Sequence, residues 1–267
     1  MRLFTAPAKP NCEGEWSLVL DPSTDKPLFD GSYERVLDGV STFSNHVVAH
    51  GRQGGIPRVW ILDMDPNHEE QKVTKFEALT FPEAAYDVGL STHYEFDVDK
   101  IVVAYDSLIT PLQYMEVSLS NPTGPRTVIK FKNVPGYDKS LYDCERFMVR
   151  SRDGTTDIPV VAVYKKDVME KHKADGKPVH THLYGYGSYG ACIEADFRAT
   201  RLALLNRGIV YVIAQIRGGG EMGRQWYEEP NGAKFLCKKN TFNDFVDCAR
   251  HLIDTKRLTS PDLLACE

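Results

Sequence analysis

The sequence predicts a mixed fold: a partial β-propeller of about two and a half blades, followed by the first part of an α/β domain. Three observations predict it. Residues 1 to about 135 read as short alternating strands separated by turn residues, with no clear helical periodicity. Within that stretch the chain matches itself without gaps at an offset of 55, residues 47–76 falling on 102–131. After Pro135 strands begin to alternate with helical patterns, as in a parallel sheet joined by right-handed crossovers.

The repeat is anchored where strands are expected. Val47, Val48 and Ala49 fall on Val102, Val103 and Ala104; Leu62 and Met64 fall on Val117 and Leu119; Val73, Lys75 and Phe76 fall on Val128, Lys130 and Phe131. A period near fifty with several strands per unit is the signature of a propeller blade. Arg2-Leu3-Phe4 resembles Arg58-Val59-Trp60, and Trp16 to Leu20 resembles the Val73 segment, so residues 2–20 read as the end of an earlier blade. Propellers close with 4–8 blades. The expectation is therefore that the sequence begins part-way through one, with propeller blades over 1–138 and the α/β part over 139–267. A β-sandwich with an accidental internal echo is the alternative.

In the second half, Cys144 to Arg150 and Ile158 to Tyr164 read as a hairpin around Ser151-Arg152-Asp153-Gly154. The charged stretch KKDVMEKHKADGKP reads as a solvated loop, and Val179 to Tyr184 as a strand. Arg198 to Arg207 reads as a helix stopped by Gly208. Ile209 to Ile216 is a nearly continuous apolar run, expected of a strand buried on both faces. Phe242, Phe245, Val246, Ala249, Leu252 and Ile253 have helical spacing, with Thr241 and Asp244 resembling a capping box at its start. Leu263 to Cys266 reads as a short buried strand.

Composition narrows the function classes. The formal charge of -5 and the absence of a basic cluster argue against nucleic acid or an anionic membrane as the main partner. The longest strongly apolar stretch, Ile209 to Ile216, is far short of the ~20 residues that span a bilayer. The opening MRLFTAPAKP has no apolar h-region. The six cysteines contain no CxxC pair, which suits free thiols in a reducing, cytoplasmic compartment.

Ligands of such sheets bind beyond the carboxyl ends of the strands, where two glycine-rich loops fall. In Gly185 to Gly190, glycines alternate with Tyr186 and Tyr189 after Tyr184. A phenol, with its ordinary pKa near 10, donates to an oxyanion while staying protonated at neutral pH. On motif grounds alone the turn fits either that role or simple packing. Arg217-Gly218-Gly219-Gly220-Glu221 lacks the Gly-Lys-Ser/Thr of a nucleotide cradle. It reads as a tight main-chain crossing anchored by Arg217 and Glu221. His180 and His182 share a strand face, but no third ligand at a metal spacing accompanies them, and no metal or other cofactor is expected. His251 reads as a partly exposed helix residue. The chain holds no Gly-x-Ser-x-Gly.

LYGYGSYG, IRGGGEMGRQWYEE, KKNTFNDF and LTSPDLLACE, in this order, resemble the prolyl oligopeptidase family of serine peptidases, and within it the oligopeptidase B branch. YDCERFMVRSRDGTTDIPV resembles the passage from the propeller into the hydrolase domain. The resemblance implies a propeller over an α/β-hydrolase domain and hydrolysis of short peptides, in oligopeptidase B after Arg or Lys. It gives Tyr186 the role of oxyanion donor. Prolyl oligopeptidases proper continue with Gly-Phe where this sequence has Ser188-Tyr189, which makes Tyr189 a candidate substrate contact near the second specificity pocket. In the family the strand matching Leu263 to Cys266 leads into the Gly-x-Ser-x-Gly elbow, and Ser, Asp and His all follow it. The resemblance thus implies an internal fragment, ending just before the elbow and inactive alone. Two other readings stay open: a peptidase cutting after Pro, and a non-catalytic propeller with a degenerate hydrolase half that binds peptides or proteins.

Overall fold

The computed structural model describes residues 1–6, 15–29, 35–65, 72–228 and 230–267. Cys12 lies outside them. Strands β1 (Phe4–Thr5) and β2 (Ser17–Leu18) pair antiparallel. A four-stranded antiparallel sheet follows in chain order: β3 (Val36–Thr42), β4 (His46–Gln53), β5 (Ile56–Met64) and β6 (Val73–Ala78). A second four-stranded sheet runs β7 (Tyr86–Leu90), β8 (Lys100–Ser107), β9 (Gln113–Ser118) and β10 (Thr127–Phe131). The 55-residue repeat thus falls on the last three strands of each sheet. Among the described residues no helix precedes Lys139.

Alternation in the sequence becomes alternation of burial. Along β8, Ile101, Val103, Tyr105 and Ser107 turn inward and their neighbours outward. Phe29 fills the space over the first sheet, meeting Trp60 edge-on at 5.2 Å, while Trp60 stacks on Phe76. Every residue of β10 is exposed, as befits an edge strand.

The chain separates into two compact units. One comprises Met1–Phe81, Val88–Tyr105 and Gln113–Phe131; the other comprises Pro82–Asp87, Asp106–Leu112 and Lys132–Glu267. The second unit is built on a five-stranded mixed sheet. β11 (Tyr142–Arg150) and β12 (Asp157–Lys165) form the expected hairpin, closed by the Asp153-Gly154 turn with Gly154 at φ 69. α1 (Lys166–Asp175) leads to β13 (Thr181–Tyr184), and a short α2 (Leu202–Leu205) leads to β14 (Val210–Ala214). α3 (Lys239–Arg250) continues through a π turn, His251–Thr255, before β15 (Leu264–Cys266). The sheet order is β11-β12-β14-β13-β15, with β13 parallel to both β14 and β15.

The apolar run through β14 serves both faces of this sheet. Val210, Val212 and Ala214 join Val160, Ala162, Leu183, Cys248 and Leu252 on the α3 side. Ile213 joins Val161, Val163, Leu205 and Tyr142 on the other. Among the described residues no helix is long and apolar enough to cross a membrane.

Four local expectations are corrected. KKDVMEKHKADGKP contains helix α1 rather than a loop. Only Met169 in it is buried, so no apolar stripe announces it. Helix-favouring Lys, Glu, Met and Ala build it, Asp167 and Lys173 complement its ends, and Gly176 at φ 66 stops it. The helix expected from Arg198 shrinks to a 3₁₀ turn, Ala199–Arg201, and the four residues of α2. Buried Arg201 is pinned there, donating to the Asp196 carbonyl at 2.8 Å and lying over the Tyr211 ring. Gly208 ends that segment at φ 79, as expected. Thr241 and Asp244 do not cap α3: the helix begins at Lys239, and both side chains reach across to other loops. Finally, β15 is partly exposed rather than buried, because it lies at the edge of the described sheet.

Leu183 is fully buried between β14 and β15. Leu183→Ala is expected to cost about 2–5 kcal/mol, read from the urea midpoint. A change under about 1 kcal/mol, below that range, would contradict the packing described.

Candidate active site

The two glycine-rich loops leave the carboxyl ends of β13 and β14, which lie side by side and parallel. They interlock main chain against main chain. Gly190 N–H donates to the Gly218 carbonyl at 3.0 Å. A Cβ on Gly218, whose φ is 101, would sit 2.0 Å from the Gly187 carbonyl oxygen; one on Gly220 would sit 2.3 Å from that of Gly190. A Cβ on Gly187 would meet Thr241, Ile216 and the Arg217 carbonyl, all within 2.9 Å. The triple glycine is therefore a contact requirement between loops.

Two charged side chains anchor the crossing, as the sequence suggested. Arg217 is 2% exposed; its Nε and Nη2 donate to Asp244 at 2.8 and 2.6 Å, and Nη2 also reaches Asp153 at 2.8 Å. The Arg217 N–H adds a bond to Asp244 at 3.1 Å. Burial works against the guanidinium's charge, but the two carboxylates outweigh it and Arg217 stays protonated. Burial pushes the Asp244 carboxyl up while Arg217 pulls it back. Burial also opposes ionisation of Asp153, yet donors from Ser151, Thr155 and Arg217 hold it below the ordinary carboxylate range. Glu221, buried as well, accepts from the Ile193 N–H at 2.8 Å and ties the far side of the loop.

The start of α3 clamps both loops from one side. Lys238 Nζ donates to the Gly187 carbonyl at 2.6 Å and to Ser188 Oγ at 2.7 Å. Thr241 Oγ1 lies 3.1 Å from the Gly187 carbonyl and 2.8 Å from that of Arg217. Burial shifts the Lys238 ammonium down.

On this frame Tyr186 is 45% exposed and Tyr189 81% exposed. The Tyr186 hydroxyl makes no hydrogen bond among the described residues. Tyr189 holds φ 57, a left-handed conformation that costs a non-glycine residue about 1–3 kcal/mol. Packing does not consume either ring. Tyr184, the third tyrosine, ends β13. Asp153, Lys238 and Thr241 belong to the same assembly although the sequence reading gave them other roles or none. Asp-Gly was read as a turn signal only and Thr241 as part of a capping box, while Lys238 lay unused inside KKNTFNDF.

The histidines stand apart. His180 precedes β13 and is exposed; His182 stacks on Tyr211 at 5.0 Å, with Nε2 3.3 Å from Glu267. His251 is partly exposed and stacks on Phe147. Among the described residues no cluster of His, Cys, Asp and Glu has the makings of a metal site.

Comparison with known proteins identifies the family. Residues 14–132 match the family model for the prolyl oligopeptidase N-terminal β-propeller domain, and residues 195–267 match that for the prolyl oligopeptidase family itself. The chain belongs to the prolyl oligopeptidase family. It is 38% identical over 217 residues to dipeptidyl aminopeptidase BI of Pseudoxanthomonas mexicana, covering 81% of this chain and 28% of that protein. Protease 2 of Moraxella lacunata is 33% identical over 246 residues, 92% of this chain and 33% of the relative. Oligopeptidase B of Trypanosoma brucei, solved in a closed form with covalently bound antipain, superposes with a TM-score of 0.77 at 34% identity, over 97% of this chain and 36% of that one. The chain thus spans about a third of the length of these family members. The family is one of serine peptidases, and propeller strands followed by the start of a hydrolase sheet are the expected parts of such a protein.

Removing Arg217 leaves Asp244 buried without its partner. Arg217→Met is expected to destabilise by about 3–5 kcal/mol in urea unfolding, and a loss under about 1 kcal/mol, below that range, would contradict the anchor. Asp153 gives a pH signature. A depressed carboxylate stabilises the fold above its unfolded pKa of about 3.9 and loses that contribution as pH falls toward its folded value. Asp153→Asn should lower Tm at neutral pH, with the gap to wild type narrowing below about pH 4. A gap that widens on acidification would refute the assignment.

Proposed function

We propose that this chain is part of an oligopeptidase B-type serine peptidase that hydrolyses short basic peptides on the carboxyl side of Arg or Lys. The observation that carries the reading is the exposed, uncommitted Tyr186 phenol, held on two interlocked loops beyond the parallel strands. In this reading the two four-stranded sheets are two propeller blades, β1 and β2 belong to a third, and the hydrolase domain takes over near residue 139. The nucleophile, base and acid lie outside these 267 residues, which hold no Gly-x-Ser-x-Gly and have no peptidase activity by themselves. No metal or cofactor enters the reaction. The described cysteines are free thiols, in keeping with a reducing, cytoplasmic setting.

The mechanism follows from charge. In the intact enzyme the histidine takes the serine proton as Oγ attacks the peptide carbonyl, and the carbonyl oxygen becomes negative. Tyr186 donates its hydroxyl hydrogen to that oxygen, together with the main-chain N–H after the nucleophile. Ser, His and Asp supply nucleophile, proton transfer and orientation; the tyrosine supplies only charge stabilisation. Tyr189, exposed beside it, contacts the substrate residue preceding the cleaved one. Its ring stands where prolyl oligopeptidases carry Gly-Phe, which favours the basic-peptide reading over cleavage after Pro.

The name of the P. mexicana relative supports a second reading, release of dipeptides from a free amino terminus. Arg-, Lys- and Pro-containing fluorogenic peptides, each with a free and a blocked amino terminus, separate the three specificities on the full-length enzyme. The proposal expects blocked Arg and Lys substrates to turn over and Pro substrates to be poor; the reverse ranking would overturn it. Tyr186→Phe in that enzyme should lower kcat by about 10²–10³ with KM nearly unchanged. An unchanged kcat would remove Tyr186 from the mechanism.

A further inference from the structure

We propose that Lys238 is a positioning residue for Tyr186, fixing through the Gly187 carbonyl the peptide plane between Gly187 and Ser188, one residue beyond the oxyanion donor. The inference rests on the oxyanion role proposed for Tyr186 and goes beyond it.

Gly187 stands at φ 58, and without a Cβ it has more accessible backbone conformations than any other residue. The peptide plane after it is therefore held by contacts more than by its own sterics. Those contacts converge on one atom. Lys238 Nζ reaches the Gly187 carbonyl oxygen at 2.6 Å, Thr241 Oγ1 lies 3.1 Å from it, and the missing side chain of Gly218 leaves room for it. The same ammonium donates to Ser188 Oγ at 2.7 Å, so it grips two consecutive residues. In a trans peptide the carbonyl and the next N–H point oppositely. Turning the Gly187 oxygen toward Lys238 thus also sets the direction of the Ser188 N–H and the path on to Tyr189.

The lysine is itself well placed. Lys238 is already in the right-handed helical conformation, at φ -55 and ψ -24, immediately before α3. Lys238, Thr241 and Asp244 succeed one another at three-residue spacing, so each lies beside the next on the helix surface. The first two bind Gly187, and the third binds Arg217. The first turns of one helix thus read out the separation of both loops. A hydrogen bond from a charged donor is stronger than one from a neutral donor. Lys238 is accordingly the member whose loss should most loosen the plane.

The test uses full-length enzyme and an Arg-containing peptide. Lys238→Met should lower kcat about tenfold, the scale of one charge-assisted hydrogen bond, with KM changed less than about twofold. Lys238→Arg, which keeps charged donors, should restore kcat to within about threefold of wild type. In a Tyr186→Phe background the Lys238→Met effect should largely vanish, since the group it positions is gone. If Tyr186→Phe is severely impaired while Lys238→Met matches wild type, the positioning role is overturned and the oxyanion reading stands. If Tyr186→Phe matches wild type, both fall. If Lys238→Met and Lys238→Arg lose kcat and Tm equally, the lysine is a structural prop and the proposal is likewise overturned.

Discussion

The carbonyl oxygen of Gly187 is the point on which the site depends. It projects into the space left by the absent side chain of Gly218 and meets Lys238 and Thr241 from the start of α3. No side chain larger than hydrogen fits at either glycine without moving backbone. The two loops are therefore fixed against each other by main-chain contact, and Tyr186 and Tyr189 stand outward as a consequence. Two flexible loops become one rigid surface because each supplies the missing volume of the other.

Electrostatics reinforces that geometry from below. Arg217 lies buried between Asp244 of α3 and Asp153 of the β11–β12 turn, joining helix, hairpin and loop through one guanidinium. Its planar fork serves several acceptors at once, which a lysine's single ammonium would not match. A buried pair of this kind costs desolvation and adds little net stability against an apolar replacement. Its value here is directional: it leaves the loop after β14 one place to go. The helix that supplies Asp244 also supplies the Gly187 clamp, so the two constraints share a single rigid support.

The sequence made the large divisions legible. The offset of 55 found the last three strands of both propeller-type sheets because the same succession of strands, paired antiparallel in chain order, recurs along the chain. The apolar run through β14 and the Asp-Gly hairpin are local signals, and both appear in place. Helix α1 was hidden because its residues favour helix individually yet bury only Met169. Thr241 and Asp244 misled for the opposite reason: their spacing mimics a cap, but their partners are Gly187 and Arg217, dozens of residues away. The roles of Lys238 and Asp153 rest on such long-range contacts, which no local pattern encodes. Tyr186 was legible only through the motif that contains it.

In the proposed mechanism the interlocked loops hold the Tyr186 hydroxyl where negative charge develops. A crystal structure of the full-length enzyme with a peptide aldehyde captured by its nucleophile tests this most directly, because the hemiacetal oxygen marks the oxyanion position. A Tyr186 Oη–oxygen distance of about 2.5–3.0 Å is expected, with Lys238 still on the Gly187 carbonyl. A phenol turned away from that oxygen, beyond about 4 Å and outside any hydrogen-bond range, would contradict it.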